Sequence, residues 1–227
     1  MNTPIKTYPI NIRGELSVPP ERGWWLIKWL LAIPHWFLLI FLGIAFVVVA
    51  IIAFFAILFT GRYPKGLFDF NVGVLRWGWR VAFYSYGALA TDKYPPFSFE
   101  PDPNYPADLE IPYPEKLSRG LVLVKWWLLA IPHYIIVSFF TSGMMTWQMQ
   151  HWDWTINGHV YHMDRWQMSP FGLIFWVAII AGVWLLFSGK YPKDLFKLLM
   201  GFNRWAIRVA AYASLMTDAY PPFRLDE

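Results

Sequence analysis

The sequence predicts an all-α integral membrane protein of two tandem repeats, each a transmembrane helical hairpin followed by an amphipathic interfacial helix. Three observations predict this fold class. Of the 227 residues, 57% are hydrophobic and 15% are charged, whereas a soluble domain carries about 25% charged residues. The 15 tryptophans suit side chains that lie at a membrane–water boundary. Short motifs recur in the same order in both halves of the chain.

The offset between matched motifs increases along the chain. Lys28 recurs 97 residues later, the Leu-Leu-Ala-Ile-Pro-His motif ending at His35 recurs 98 residues later, and Gly61 recurs 128 residues later. The last increase places about 30 extra residues in the second copy, in the polar stretch 144–170. We therefore divide the chain as follows. The first repeat is 1–97, a Pro-rich acidic linker is 98–116, and the second repeat is 117–227, with its extended segment already beginning at 105.

The first two helices of each repeat are predicted from one long apolar run. Residues 24–59 number 36, which as one helix would measure about 54 Å against a hydrocarbon core of about 30 Å. The extra residues of the second copy map near Gly43, and a polar loop cannot face lipid in the middle of a spanning helix. We therefore expect a hairpin that turns near Gly43, with the second copy's turn expanded into 144–170. Shallow re-entrant hairpins are the alternative.

A third helix follows in each copy, over 66–90 and 194–216, after a Gly-basic-Tyr-Pro turn. Arginines four residues apart lie on one face of it, which favours a helix lying in the membrane interface and binding anionic headgroups. The predicted lipid-binding residues are Arg76, Arg80, Arg204, Arg208, Trp77 and Trp205. A third spanning helix, or pairing of these arginines with acidic residues, is the alternative.

The distribution of charge predicts the orientation. Of the 19 Lys and Arg residues, all except Arg165 lie on the predicted side that holds both termini, the linker and the third helices. Such asymmetry places the termini in the cytoplasm and 144–170 in the periplasm or outside the cell. The basic residues flank apolar runs, so we exclude a nucleic-acid partner. The absence of cysteine excludes disulfides and thiolate chemistry.

Residues 144–170 predict a small polar β-hairpin, because Asn157-Gly158 favours a two-residue turn. Counting outward places Trp154 opposite Tyr161, Asp153 opposite His162, and His151 opposite Asp164. The candidate metal ligands are therefore His151, Asp153, His162 and Asp164, for zinc or, with the Met-rich flanks, copper. The interpretation we favour is an aromatic platform that contacts another membrane-protein subunit. The predicted partner-contact residues are Trp147, Trp152, Trp154, Tyr161 and Trp166.

His35 and His133 each follow a proline in the first helix of their repeat. A repeated histidine in an apolar zone can ligate haem or a chlorin, or relay protons. We expect instead that each bonds a backbone carbonyl freed by the adjoining proline. No enzyme motif accompanies these residues, so we expect neither catalysis nor an organic cofactor.

The repeated motifs resemble a known family. They are Arg-Gly…Lys-Trp…Leu-Ala-Ile-Pro-His, Phe-Thr-Gly-Arg-Tyr-Pro-Lys-Gly-Leu-Phe-Asp-Phe, Val-Leu-Arg-Trp and Asp-x-Tyr-Pro-Pro-Phe. Together they resemble the bacterial membrane family called domain of unknown function 4389, over nearly the whole chain. The resemblance implies a multi-pass membrane protein and brings no assigned activity, cofactor or catalytic residue.

We therefore expect a non-enzymatic multi-pass membrane scaffold or accessory subunit. It would dock a larger inner-membrane complex through the insertion and bind membrane lipids with anionic headgroups. A metal-binding membrane protein acting through 144–170 is the second hypothesis. A transporter component is the third, although the helices offer few polar residues for a substrate path.

Overall fold

The computed structural model describes residues 8–16, 18–141, 148–156, 159–167 and 171–226, and the described chain is mostly helical. The helices are α1 (Lys28–Thr60), α2 (Lys65–Tyr84), α3 (Ile131–Thr141), α4 (Leu173–Ser188) and α5 (Lys193–Ala213). The strands are β1 (Asn11–Gly14), β2 (Ala107–Glu110), β3 (Gln148–Ile156) and β4 (His159–Gln167). Short 3-10 turns at Trp24–Leu26 and Leu121–Leu123 precede the first helix of each repeat, and a π-helical turn, Lys125–Leu129, precedes α3.

The first repeat holds one continuous helix where a hairpin was predicted. α1 runs through Gly43 without interruption for 33 residues, so the predicted turn near Gly43 is wrong. A lone glycine weakens a helix by only about 1 kcal/mol, and the apolar residues on both sides continue the helix. The chain reverses at Gly61, whose φ of 73° is easily adopted by glycine, and whose N–H donates to the Ile57 carbonyl.

In the second repeat the same helix is interrupted, and the two parts keep one direction. Lys125 lies over the ring of Tyr212 near the end of α5, and the ring of Phe140 lies 4.4 Å from that of Phe202 farther back along α5. α4 then ends at a short turn that leads to the start of α5. α3 and α4 are therefore successive parts of one helix antiparallel to α5. The predicted helical hairpin is wrong in this repeat too.

The insertion leaves and re-enters this helix at a single point. Gly172 lies so close to the Phe140 carbonyl oxygen and to Thr141 that a side chain at position 172 has no room. The chain therefore departs after Thr141, forms the β3–β4 hairpin, and returns beside its point of departure. In the first repeat, Gly43 is the counterpart of Thr141 and lies inside continuous helix.

The π-helical turn explains why the repeat offset increases from 97 to 98. The first repeat reads Lys-Trp-Leu-Leu-Ala from Lys28, whereas the second reads Lys-Trp-Trp-Leu-Leu-Ala from Lys125. A π-helical turn accommodates one additional residue in a helix, and this one spans Lys125–Leu129. Lys125 and His133 are consequently both fully buried, as Lys28 and His35 are in the first repeat.

The N-terminal segments of the two repeats are exchanged. β1 and β2 pair antiparallel, and Ile12 lies opposite Leu109, its own counterpart 97 residues later. The Tyr8 hydroxyl, from the start of the first repeat, donates to the Ala219 carbonyl of the second, and Tyr105 donates to the Lys93 carbonyl of the first. The N-terminal segment of each repeat therefore packs against the end of the other repeat. A local two-fold axis relates the two halves of this arrangement. The segment predicted as a spacer, 98–116, instead contributes buried residues to the core.

One side of α1 remains uncovered. Among the described residues, α1 is the one helix both long and apolar enough to cross a membrane, and only 6% of its most apolar 18-residue window is buried. Side chains from Trp24 to Phe59 form this exposed apolar face. Such a face is consistent with membrane association. Crossing by several helices is not established by these elements.

Candidate functional site

Each repeat contains a buried polar cluster that ties its first helix to the end of the repeat. We call the first clamp the set Lys28, His35, Trp77, Asp92 and Phe97. The Lys28 Nζ donates to the Thr91 carbonyl at 2.7 Å and pairs with Asp92 Oδ1 at 2.8 Å. Lys28 is fully buried. The other Asp92 oxygen accepts the Glu21 N–H, so this carboxylate also fixes the segment before the helix.

The second clamp is the set Lys125, His133, Trp205, Asp218 and Phe223, and it repeats the first. The Lys125 Nζ donates to the Thr217 carbonyl at 3.0 Å and pairs with Asp218 Oδ1 at 2.7 Å. The second Asp218 oxygen accepts the Ser118 N–H. The Thr-Asp-x-Tyr-Pro-Pro-Phe motif thus supplies the acid of each clamp.

Each histidine accepts a hydrogen bond from an indole group, and the backbone carbonyl that interacts with His133 belongs to Pro221, not to the helical turn opened by Pro132. Trp77 Nε1 donates to His35 Nδ1, and Trp205 Nε1 donates to His133 Nδ1, both at 3.0 Å. The His35 ring stacks on Phe97 with centroids 4.0 Å apart. Because Nδ1 accepts, the neutral ring carries its proton on Nε2. The prediction that each histidine bonds a carbonyl freed by proline is therefore wrong.

A cofactor-ligand role at these histidines also conflicts with their surroundings. Both side chains are fully buried, and the Nε2 atoms of His35 and His133 are covered by protein. A haem or chlorin would have to displace the stacked Phe97 or Phe223 to reach them. The alternative that His35 and His133 ligate a haem or chlorin therefore conflicts with the structure, in which both residues pack the helix.

A tyrosine ring lies under the lysine ammonium of each clamp. Tyr84 lies under the Lys28 ammonium, with 5.2 Å from Nζ to the ring centroid, and Tyr212 lies under Lys125 at 5.6 Å. Burial, with a smaller contribution from the nearby Asp92 or Asp218 carboxylate, raises the pKa of each phenol to about 12. Both phenols therefore stay neutral, and each buried ammonium is offered the face of an uncharged ring.

The arginines of α2 bind the chain itself. Arg80 is fully buried, pairs with Asp108 at 3.2 Å and donates to the Glu100 carbonyl at 2.8 Å. Arg76 pairs with the same carboxylate at 3.0 Å and donates to the Leu109 carbonyl at 3.0 Å. The predicted lipid binding by Arg76 and Arg80 is therefore wrong, and the alternative of pairing with the acidic linker is correct here.

The predicted lipid binding is also wrong for Arg208 in the second repeat and for both tryptophans. Arg208 is buried, donates to the Asp226 carbonyl at 3.1 Å and lies over the Tyr8 ring. Trp77 and Trp205 are buried against the clamp histidines, so protein and not lipid surrounds them. Arg204 is half-buried and has contacts of its own. Lipid binding at Arg204 stays a prediction.

The β3–β4 hairpin has the predicted register. Trp154 lies opposite Tyr161, Asp153 opposite His162, and the backbone of His151 opposite that of Asp164. The His162 Nδ1 and Asp153 Oδ1 atoms are 2.6 Å apart on an exposed face. No cluster of three or more metal-binding side chains occurs in the described part of the chain. The side chains of His151 and Asp164 lie outside that part.

An aromatic face occupies the other side of the hairpin. The rings of Trp154 and Tyr161 stack with centroids 6.0 Å apart, and Trp152 is 61% exposed. Ile156 and Met163 alternate onto the same face and are also exposed. We call these five side chains the aromatic face. Trp147 and the side chain of Trp166 lie outside the described residues.

Sequence reasoning missed the clamps although their signal was present. Lys28, Lys125, Asp92 and Asp218 all lie in motifs that recur in both copies. The histidines were identified, but their indole partners were assigned to lipid. A repeated lysine at the start of an apolar helix and a repeated aspartate after α2 or α5 were the observations that pointed to a buried pair.

Comparison with protein families identifies the family of the chain. A family model described as a domain of unknown function (DUF4389) matches residues 23–98 and 169–224. Each matched segment ends just beyond the aromatic residue of a clamp, Phe97 or Phe223. No curated protein and no solved structure matches the chain.

Proposed function

We propose that the chain, which belongs to the DUF4389 family, is a non-enzymatic scaffold or accessory subunit of a bacterial inner-membrane complex. In this proposal the clamped repeats form a membrane-bound base, and the β3–β4 hairpin binds a partner subunit. The hairpin-based multi-pass arrangement is no longer part of it, because α1 is continuous.

The observation that carries this proposal is the aromatic face of the hairpin. Its side chains are exposed on a two-stranded sheet that pairs only within itself among the described strands. An isolated hairpin is marginally stable in water, and aromatic residues are enriched at the centres of protein interfaces. A protein partner would cover this face and stabilise the hairpin.

The chemistry of the clamps favours a structural role over catalysis. Lys28, Lys125 and the two histidines are buried, and each holds a partner from its own chain. A general acid or base must reach the proton that it transfers. Groups enclosed in this way instead fix the first helix of each repeat.

The first experiment removes the hairpin. The offset between matched motifs of the two repeats rises from 98 to 128, which is an excess of 30 residues. Deleting the 30 residues 142–171 therefore joins Thr141 to Gly172 in the register of the first repeat. The deleted chain should remain folded and membrane-bound, because the first repeat has a continuous helix at this position. Its assembly, measured by native electrophoresis after mild solubilisation, should lose the partner subunit.

Matched substitutions test which face binds. Trp154→Ala with Tyr161→Ala removes the stacked pair of the aromatic face, whereas Thr155→Ala with Val160→Ala changes the opposite face. We expect the first double variant to bind the partner at least about 30-fold more weakly, because the loss of even one aromatic hot-spot residue from an interface costs about 2 kcal/mol or more. An unchanged assembly in the deletion variant, or a lone wild-type monomer, would contradict the proposal.

A metal site in the insertion is the second candidate, and the Asp153–His162 contact is the observation that favours it. The backbone register places His151 opposite Asp164 next to this pair, so four ligand residues are within two cross-strand pairs. Equilibrium dialysis with zinc and with copper should then give one bound ion that is lost in the His151→Ala, His162→Ala variant. Absence of stoichiometric binding would remove this candidate.

A further inference from the structure

We infer that the protein occupies a single leaflet of the bilayer, with α1 and the joined α3–α4 helix lying along the membrane plane. This inference rests on the membrane association in the proposed function and goes beyond it. The joined α3–α4 helix also exposes large apolar side chains, including Ile135, Trp184 and Phe187. One phospholipid leaflet would cover these residues and the exposed apolar face of α1. Helix length, the position of the insertion and the placement of the exposed cations each support it.

The length of α1 is too great for an ordinary crossing. Its 33 residues extend about 50 Å if straight, against a hydrocarbon core of about 30 Å. A crossing with the whole helix in the core would need a tilt of about 50°, beyond the usual range of about 0–40°. A helix that lies along the interface has no such limit, and its covered side can face the protein while its exposed side faces lipid.

The insertion interrupts the second long helix near its middle. The parts before it, Lys125–Leu129 and α3, together hold about as many residues as α4 after it. In a spanning helix this point would lie near the bilayer centre, where a polar loop facing lipid is not tolerated. Asp153 and His162 are exposed on this excursion. A helix in the membrane plane lets the same excursion leave at the interface.

Exposed cations lie at both ends of α1. Arg22 precedes the helix, and Arg62 and Lys65 follow it. The local symmetry repeats this arrangement, because Arg22 approaches Gly189 after α4, and Arg119 approaches Gly61 after α1. A crossing would place cations on both sides of the membrane, whereas lysine and arginine normally collect on one side. In the membrane plane, every one of these cations can reach the anionic headgroups of one surface.

The exchanged segments give α1 and α3–α4 opposite directions. The end of α1 adjoins the start of the second repeat, since the Leu117 N–H donates to the Gly61 carbonyl. The end of α4 adjoins Arg22 at the start of the first repeat. The two-fold axis that relates antiparallel counterparts such as Ile12 and Leu109 is normal to their sheet. It therefore keeps the two long helices at one height relative to the sheet.

The test counts accessible cysteines on one molecule. The chain contains no cysteine, and Gly23 and Gly66 lie at opposite ends of α1 with open space where a side chain would extend. The Gly23→Cys, Gly66→Cys variant is placed in sealed vesicles of phosphatidylcholine and phosphatidylglycerol. It is then treated with a membrane-impermeant maleimide, and adducts per intact molecule are counted by mass spectrometry.

A chain in one leaflet carries either no adduct or two, whichever way it faces, and molecules with a single adduct are rare. A spanning α1 gives one adduct on nearly every molecule, which would overturn the inference. The matched control is Gly66→Cys with Gly120→Cys, whose positions are at the same end of α1 and have open space. This pair should give none or two in either geometry, and both pairs should give two after detergent is added.

Flotation of the vesicles on a density gradient distinguishes a failure of this inference from a failure of the proposed function on which it rests. Chains that fail to float with the vesicles would contradict membrane association, and with it the base of the proposed scaffold. Chains that float and carry a single adduct would contradict only the single-leaflet placement. The Gly43→Cys variant gives a second measurement, because α1 has open space there in the middle of the helix. A spin label at Gly43 should lie at about the same depth as labels at Gly23 and Gly66, whereas a spanning α1 would place the Gly43 label near the bilayer centre and overturn the inference.

Discussion

The two repeats preserve the same buried contacts with different helices. In the first repeat α1 is continuous, whereas in the second a π-helical turn and a 30-residue insertion interrupt its counterpart. The Lys–Asp pairs have nearly equal lengths of 2.8 and 2.7 Å, and the Trp–His distances are both 3.0 Å. The fold therefore depends on the clamps more than on an unbroken first helix.

The difference also indicates where sequence change is tolerated. Residues added between Thr141 and Gly172 leave the buried contacts of α4 intact, because the chain returns to its point of departure. One residue added near Lys125 is absorbed within a single turn. Changes to the clamp residues cannot be accommodated in a comparable way, since each lysine is enclosed by protein and its aspartate partner is only 27% or 28% exposed.

The largest effect should come from removing the clamp aspartates. Asp92→Ala removes the carboxylate partner of the buried Lys28 ammonium and leaves it the Thr91 carbonyl and the Tyr84 ring. Asp218→Ala removes the corresponding partner of Lys125. Loss of one partner of a buried ion pair typically costs about 3 kcal/mol. We expect each variant to lower the free energy of unfolding by about that amount, measured by denaturant unfolding in detergent.

The exposed Lys65–Asp69 pair is the control for this measurement. Its members are 69% and 56% exposed and 3.1 Å apart, so Asp69→Ala should change the free energy of unfolding by less than about 0.5 kcal/mol. A large loss from Asp92→Ala and a negligible one from Asp218→Ala would show that the two clamps are not equivalent. Equal losses in the clamp and control variants would contradict the role of burial.

A smaller effect should follow removal of the indole donors. Trp77→Phe and Trp205→Phe keep an aromatic ring but remove the N–H that His35 or His133 accepts. A buried acceptor left without its donor costs about 1–2 kcal/mol, and we expect that loss in both repeats. Trp29 and Trp126, which are exposed and correspond to each other in the two repeats, provide Trp→Phe controls. If the controls lose as much stability, the hydrogen bond is not responsible.

Sequence reasoning predicted the periodic features and missed the buried polar ones. The repeat, the helical content and every named cross-strand pair of the hairpin follow from spacing and from Asn157-Gly158. The turn at Gly43 was wrong because the position of an insertion in one copy was taken as a turn in the other. Arg76 and Arg80 were assigned to lipid because helical spacing shows which residues share a face, but not what covers that face. The covering carboxylate, Asp108, comes from the exchanged segment of the other repeat.

The smallest effect should come from deleting Trp127, which converts Lys-Trp-Trp-Leu-Leu-Ala to the Lys-Trp-Leu-Leu-Ala of the first repeat. The π-helical turn should then become an ordinary α-helical turn, with Lys125 and His133 still on one face. The lost Trp127–Leu123 hydrogen bond is exposed, so we expect the free energy of unfolding to change by less than about 1 kcal/mol.

Deleting Trp29 is the matched control, because the first repeat has no π-helical turn to release. One residue fewer rotates Lys28 by about 100° relative to His35, which separates Lys28 from Asp92 and should cost about 3 kcal/mol. Near-equal losses from the two deletions would mean that the π-helical turn does not compensate for the extra residue. A small loss on deleting Trp127, beside a large loss on deleting Trp29, would establish that the clamp fixes the register of the helix, and that the helix adjusts its winding to satisfy it.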